Sequence, residues 1–320
     1  MNKRAKRGMV LVLILVVFGL LFVGVMTYLQ WDFTKLSTVK YDTQEHKIYA
    51  PFDNISVVTN TADVTFVPSP NEESTVTCFE QQKVKHTVVV KDGTLCIEVT
   101  DTRKWYEHIG LDFHTPKITV FIPRGKCGAL SVKGSTGDVE IPSDFIFESI
   151  DLSQSTGNVI SDASAVGAMK IRTSTGDIRL QNLSAGSLSL SVSTGKIAVS
   201  DATCRDQAEI TVSTGRAELT DITCRELLSD GDTGDLTLRN VVATDKFTLE
   251  RDTGDIRLED CDASELWMKT DTGDITGTLL SDKVFLTETD TGKISVPKTV
   301  TGGRCEITTD TGDIDIIIQK

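Results

Sequence analysis

Residues 247–275 read FTLERDTGDIRLEDCDASELWMKTDTGDI. Asp-Thr-Gly-Asp-Ile occurs twice in this stretch, with Thr253 and Thr272 19 residues apart. Apolar residues alternate with polar ones around each motif: Phe247 and Leu249 precede the first, Ile256 and Leu258 follow it, and Leu266 and Met268 precede the second. Alternation of period two marks a strand with one buried face. Two strands meeting at Thr-Gly, repeated at once in the next residues, describe successive turns of one coil.

The pattern extends in both directions. Thr-Gly recurs with its Thr at 136, 156, 175, 194, 214, 233, 253, 272, 291 and 311, always 19 or 20 residues apart. Six residues before the Thr stand Leu130, Ile150, Met169, Leu188, Ala208, Leu227, Phe247, Leu266, Phe285 and Cys305. Three after it stand Val139, Val159, Ile178, Ile197, Ala217, Leu236, Ile256, Ile275, Ile294 and Ile314. Columns four before and five after are also mainly apolar, and a third, shorter side carries Leu183, Ala202, Ile222 and Val241. One such coil cannot bury its own apolar face, so the stack is the folding unit. The sequence predicts an all-β chain: a parallel β-solenoid (β-helix) of about 10–11 coils of 19–20 residues, spanning 130–318. Parallel crossovers predict right-handed winding. Gly suits the corner because it takes positive φ, and stacked Thr hydroxyls are expected to pass hydrogen bonds along the rod.

Upstream, Ile55, Val57, Thr61, Ala62, Asp63, Val64 and Phe66 fit the same template, with Ala62 in the Gly position, and read as a first coil. Residues 68–121 break the period. They hold strand-like runs at 74–79, 84–91, 94–99 and 117–122, with Asp92-Gly93 as a hairpin turn. Residues 41–129 are therefore expected to form that coil and a β-rich cap.

Residues 1–7 carry Lys3, Arg4, Lys6 and Arg7, whereas 8–29, GMVLVLILVVFGLLFVGVMTYL, carry no charge. Those residues span about 33 Å as a helix, enough for a bilayer core. The run is longer than a signal peptide's and lacks a small-x-small cleavage site. We expect a cytoplasmic basic tail at 1–7, a single transmembrane helix at 8–30 and a stalk at 31–40, with the remainder extracytoplasmic. Beyond residue 30 the chain has 29 basic and 46 acidic residues, a net charge of −17. Such a surface argues against nucleic-acid binding.

The acids are ordered. The residue before the Thr is Ser in the first five coils and Asp232, Asp252, Asp271, Asp290 and Asp310 in the last five. Two after the Thr come Asp138, Asn158, Asp177, Lys196, Arg216, Asp235, Asp255, Asp274, Lys293 and Asp313. Carboxylates stacked about 5 Å apart repel, and Ca²⁺ coordinated by oxygens would relieve that. The alternative, which also accounts for the Ser half, is that these side chains cap their own turns. No cofactor is otherwise expected.

Two surfaces suit a partner. Trp105 and Tyr106 lie in an irregular cap segment, to anchor a partner or to plug the cap. Leu228, Trp267 and Leu286, with Thr248 between, make an outward apolar stripe unless a local register slip buries Leu228 and Leu286. The last coil has no evident cap, so its open β edge invites a second copy or a partner. Of the seven Cys, 204, 224, 261 and 305 occupy columns of small or apolar residues and read as buried filler. Disulfides Cys204–Cys224 and Cys78–Cys96 are the geometric candidates. No CxxC occurs, which leaves a zinc site little support.

The anchor helix, the β cap and coils reading Ser/Asp-Thr-Gly, then Asp, Asn, Lys or Arg, then an apolar residue, together resemble the bacterial "putative adhesin" family of domains of unknown function over residues 45–318. The resemblance implies a β-solenoid of the cell envelope and, for some members, a place beside envelope-stress systems. It carries over no catalytic residues. The residues themselves argue against an enzyme, because coils varying by one residue leave no loops to wall a groove, and no Ser–His–acid arrangement can be drawn. The expected function is non-catalytic binding or scaffolding at the envelope, toward a protein, a wall polymer or a second copy. The alternatives are a calcium-dependent adhesin, a regulatory partner of a stress system and, disfavoured, a carbohydrate-active enzyme.

Overall fold

The computed structural model describes residues 3–32, 35, 37, 39–105 and 112–319. Parallel strands stack in register as the columns require. Leu130 lies beside Ile150, Ile150 beside Met169, Met169 beside Leu188, and Leu188 beside Ala208. Val159 lies between Val139 and Ile178 in the strands that follow the corner. These residues are buried, as are Leu183, Ala202, Ile222 and Val241 on the third side. A single apolar core therefore runs the length of the β-solenoid, closed by the three sides of every coil.

Each Thr-Gly is a corner built on glycine. Gly157 has φ 138°, and a Cβ there would run into the Gly137 carbonyl of the neighbouring layer. Only glycine meets both demands. Ala62 occupies the equivalent place below Gly137, as expected for a first coil. The hydroxyl bonds at the corner come from a different column than expected. Thr173, Thr270 and Thr309, two residues before the corner Thr, are buried and donate to the carbonyls of Gly157, Gly254 and Gly273 at 3.0–3.1 Å. Arg251 stands in this inward column, its guanidinium packed over Gly231 and donating to Ser229 Oγ and the Glu250 carbonyl. Burial lowers its pKa to about 10.

At both ends the order of stacking departs from the order of the chain. The N-terminal strands are β1 (Tyr41–Ile48), β2 (Asn54–Thr59), β3 (Asp63–Pro68), β4 (Ser74–Gln81), β5 (Val84–Lys91), β6 (Thr94–Asp101) and β7 (Lys117–Ile122). β2 pairs in parallel with both β6 and strand Gly125–Thr136, and β3 with both β7 and Val139–Ile141. The coil formed by β2 and β3 thus lies between the Thr136 coil and a further layer made of β6 and β7. Part of the segment expected as cap is therefore itself a coil. Antiparallel strands close that layer: β5 pairs β6, β4 pairs β7, and β1 pairs β4. Asp92 and Gly93, with φ 47° and 71°, make the expected hairpin turn.

At the far end, Glu265–Thr272 pairs with Gly303–Thr311, which pairs in turn with Lys283–Thr291. Ile275–Leu279 likewise pairs with Ile314–Ile318, which pairs with Ile294–Ser295. The coil of Thr311 is inserted between those of Thr272 and Thr291. The expected open edge at the last coil is corrected accordingly: Ile314 and Ile316 are buried, and the exposed layer is that of Thr291.

A 26-residue helix, α1 (Lys3–Tyr28), precedes the rod. Leu13, Phe18 and Leu20 on it are exposed. Its described side chains run unbroken from residue 12, and among the described residues no helix is long and apolar enough to cross a membrane.

Candidate functional site

The column two after the corner Thr explains the acid ladder. The amide of Asn158 donates to Asp138 Oδ1 at 2.7 Å, that of Asp177 to Asn158 Oδ1 at 2.9 Å, and that of Lys196 to Asp177 Oδ1 at 2.9 Å. Further along, Asp255, Asp274, Asp313 and Lys293 donate to Asp235, Asp255, Asp274 and Asp313 at 2.7–3.0 Å. The flanking amides join the ordinary interlayer ladder: Gly157 N–H donates to the Thr175 carbonyl, and Val159 N–H to the Asp177 carbonyl. The amide between them points back to the preceding layer, where the carboxylate or amide side chain receives it. These side chains cap the next layer's turn and not, as expected, their own. Where the preceding layer has Lys196, the ladder runs straight through the corner, pairing Gly195 with Gly215 and Lys196 with Arg216.

Arg257 bridges Asp235 and Asp255 at 3.3 and 2.5 Å. Asp232, Asp252, Asp290 and Asp310 form the outer column and are exposed, and half-buried Asp271 pairs with Lys269 at 3.0 Å. Among the described residues neither column brings three carboxylate oxygens within 4.8 Å of one another.

The outward stripe is interrupted. Leu228 pairs with Thr248 and Thr248 with Trp267, but Trp267 pairs with Glu306 and Glu306 with Leu286. The inserted coil thus sets a carboxylate between Trp267 and Leu286. Leu228 and Trp267 are half-buried and Leu286 is exposed, without the register slip. Trp105 is 79 % exposed at the start of the loop between β6 and β7 and does not plug the cap. Tyr106 lies outside the described residues.

All seven Cys are free thiols. Cys204, Cys224, Cys261 and Cys305 are buried in the columns expected of them. Burial pushes the Cys224 and Cys305 thiols up to about 12. The proposed Cys78–Cys96 pair is ruled out by direction: Cys78 faces the core beside Val76, whereas Cys96 alternates outward between buried Leu95 and Ile97.

The sequence reading missed a buried polar cluster in the cap. Val76, Cys78 and Glu80 share the inward face of β4, and His86 follows across the turn to β5. Glu80 is 1 % exposed and His86 5 %. Glu80 Oε2 accepts the His86 amide at 2.7 Å and lies 2.8 Å from His86 Nδ1. His86 Nε2 lies 3.1 Å from Thr59 Oγ1, and Lys85 Nζ 3.5 Å from Glu80 Oε1. Burial, then the Glu80 charge, pushes the Cys78 thiol up to about 12. A cavity of about 30 Å³ opens beside the cluster, between Thr59–Thr61, Gln81 and Arg103. The signal was present in the sequence: an acid and a cysteine alternating in a strand at positions that the pattern reserves for apolar residues.

A second network ties Arg103 and Asp112, after β6 and before β7, to β1 and β4. Tyr41 Oη and Gln81 Nε2 each donate to Asp112 Oδ2 at 2.7 Å, and Arg103 donates to Asp101 and Gln81. Burial, then the bond to Asp112, raises the Tyr41 pKa to about 12.

The chain is similar to several solved structures at low identity. A protein described as a "putative lipid binding protein" from Parabacteroides distasonis is 17 % identical, with TM-score 0.50 over 88 % of this chain and 98 % of that one. A "putative adhesin" of the same organism is 15 % identical, with TM-score 0.49 over 88 % and 98 %. A "putative adhesin" from Bacteroides fragilis is 17 % identical, with TM-score 0.41 over 87 % and 97 %. No curated protein matches the sequence. The family described as Toastrack DUF4097 matches twice in succession, over residues 52–215 and 205–320, and the chain belongs to that family.

Proposed function

We propose that the chain is a non-catalytic binding or scaffold element of the bacterial cell envelope, anchored by one membrane-spanning helix at residues 8–30. The basic tail stays in the cytoplasm, and the stalk and right-handed β-solenoid stand outside. One observation carries the binding reading. The corners of the repeat are committed to holding adjacent layers together, so the rod offers partners flat, repeated faces and, among the described residues, no loop-walled groove. The unbroken apolar sequence of 8–29, with basic residues only on its N-terminal side, supports the anchor and its orientation.

A second copy is the partner that a specific observation favours. Lys283–Thr291 pairs on one side only among the described residues, and Val284, Leu286 and Ile294 on that layer are 38, 50 and 45 % exposed. An open, apolar strand edge is a template for strand addition. Two such edges pairing antiparallel would give a closed, tail-to-tail dimer.

Crosslinking the full-length chain in its native membrane, followed by identification of what is recovered with it, tests the proposal. Recovery of the chain itself or of wall polymer supports the scaffold. Reproducible recovery of one membrane protein turns the reading toward a regulatory partner. Release of the intact chain from membranes by alkaline carbonate overturns the anchor.

A further inference from the structure

Among the described residues, one group of His, Cys, Asp and Glu side chains brings three ligand atoms within 4.8 Å of one another, and it is Cys78, Glu80 and His86. We propose that these three residues bind one zinc ion, with a fourth position open toward the cavity between Thr59–Thr61 and Arg103. The inference is independent of what the rod binds.

The donor set points to the metal. One sulfur, one carboxylate oxygen and one imidazole nitrogen suit zinc, which takes all three ligand types, whereas calcium and magnesium want oxygen alone. Two further observations point to a ligand. Glu80 Oε1 is buried without a hydrogen bond, and its nearest cation, Lys85 Nζ, stands at 3.5 Å and also faces Asp42 at 3.6 Å. A buried carboxylate oxygen left in that state is unfavourable unless something binds it. His86 is also oriented as a ligand. Its Nε2 is engaged by Thr59 Oγ1, the outer contact that metal-bound histidines make, and its Nδ1 is turned toward Glu80.

The frame is rigid. β4 is hydrogen-bonded on both edges, to β1 and β7, which fixes Cys78 and Glu80 on one face. β5 is held by β6, with His86 opposite Val99. On binding, the thiol proton of Cys78 passes to solvent, neutral His86 ligates through Nδ1 with its ring proton on Nε2 toward Thr59 Oγ1, and thiolate and carboxylate together balance the charge of the ion. The cavity has room for about one water-sized group at the fourth position.

The test uses the full chain in detergent, free of affinity tags and stripped with chelator, titrated with Zn²⁺ alone and separately with Co²⁺ as a spectroscopic probe. The expected result is one equivalent per chain, with a thiolate-to-cobalt charge-transfer band. Cys78→Ser abolishes the band, and it, Glu80→Gln and His86→Asn weaken zinc binding more than about 100-fold, beyond the loss typical of an outer contact. Cys96→Ser, whose thiol faces outward, leaves band and affinity unchanged. Thr59→Val keeps all three ligands and weakens binding about tenfold, so it serves if Cys78→Ser does not fold. No stoichiometric uptake by folded wild-type chain overturns the proposal, as does a band that survives Cys78→Ser or disappears in Cys96→Ser.

Discussion

The two ends of the rod solve the same problem in opposite ways. A stack of parallel layers must stop somewhere, and its last layer presents unpaired amides and an uncovered core. At the N-terminal end the layer of β6 and β7 is closed by three antiparallel strands, so Leu95, Ile97, Ile118 and Val120 are fully buried. At the other end the Thr291 layer has a neighbour on one side only, and Phe285 and Val296, in columns that are buried elsewhere, are partly exposed. The repeat itself supplies registry but no stopping rule. A stop needs strands of another kind, and only one end has them among the described residues.

The sharpest way to probe this difference is a matched pair of core truncations. Phe66→Ala, in the layer beneath the cap and against Phe147, is expected to cost about 3–5 kcal/mol. Phe285→Ala in the open layer is expected to cost less, about 2 kcal/mol, since it is only partly buried against the core. Urea unfolding followed by circular dichroism compares them, and equal losses would show that the Thr291 layer is covered in solution. The acid ladder gives the next contrast. Asp255→Ala strands the Asp274 amide and is expected to lose about 1–3 kcal/mol, while Asp255→Asn keeps the acceptor and stays within about 0.5 kcal/mol of wild type. Lys293→Ala, in the layer that caps nothing further, should be neutral in the same assay. The smallest effect on stability belongs to Leu286→Lys, expected within about 0.5 kcal/mol. Analytical ultracentrifugation should nonetheless show it to be monomeric at concentrations where wild type dimerises, and a wild type that stays monomeric would remove the second copy as a partner.

Much of the architecture was legible because a column of side chains is a one-dimensional signal. Leu130 through Cys305 announced their layers, Ala62 announced the first coil, and Asp92-Gly93 announced a turn. Neighbour order was not legible in that way, since every layer presents the same edge to the next. Three residues, 280–282, suffice to step over one layer, because about 10 Å of extended chain covers two spacings of about 4.8 Å. Yet the order did leave a trace. Except at Lys196 and Arg216, a layer followed by another carries an acceptor two after its Thr, and Asp313 is one whereas Lys293 is not. That trace becomes readable only once the ladder's partners are known. The cluster at Cys78, Glu80 and His86 left a fainter signal: an acid alternates with a cysteine on β4, but the turn that brings His86 of β5 to them belongs to no repeat. The stripe through Leu228, Trp267 and Leu286 failed because it assumed sequential stacking.

The inserted coil also imposes an order of events. As residues emerge from a ribosome or translocase, 283–296 is available before 303–318, yet its permanent neighbour is the later segment. It must either wait unpaired or dock on the Thr272 layer and then be displaced. By either route the later segment is inserted between two layers, which is not simple growth from an end. The finished stack has a mechanical counterpart: tension on residue 319 draws on a layer clamped between two others, so strands on both its faces must shear together before anything peels.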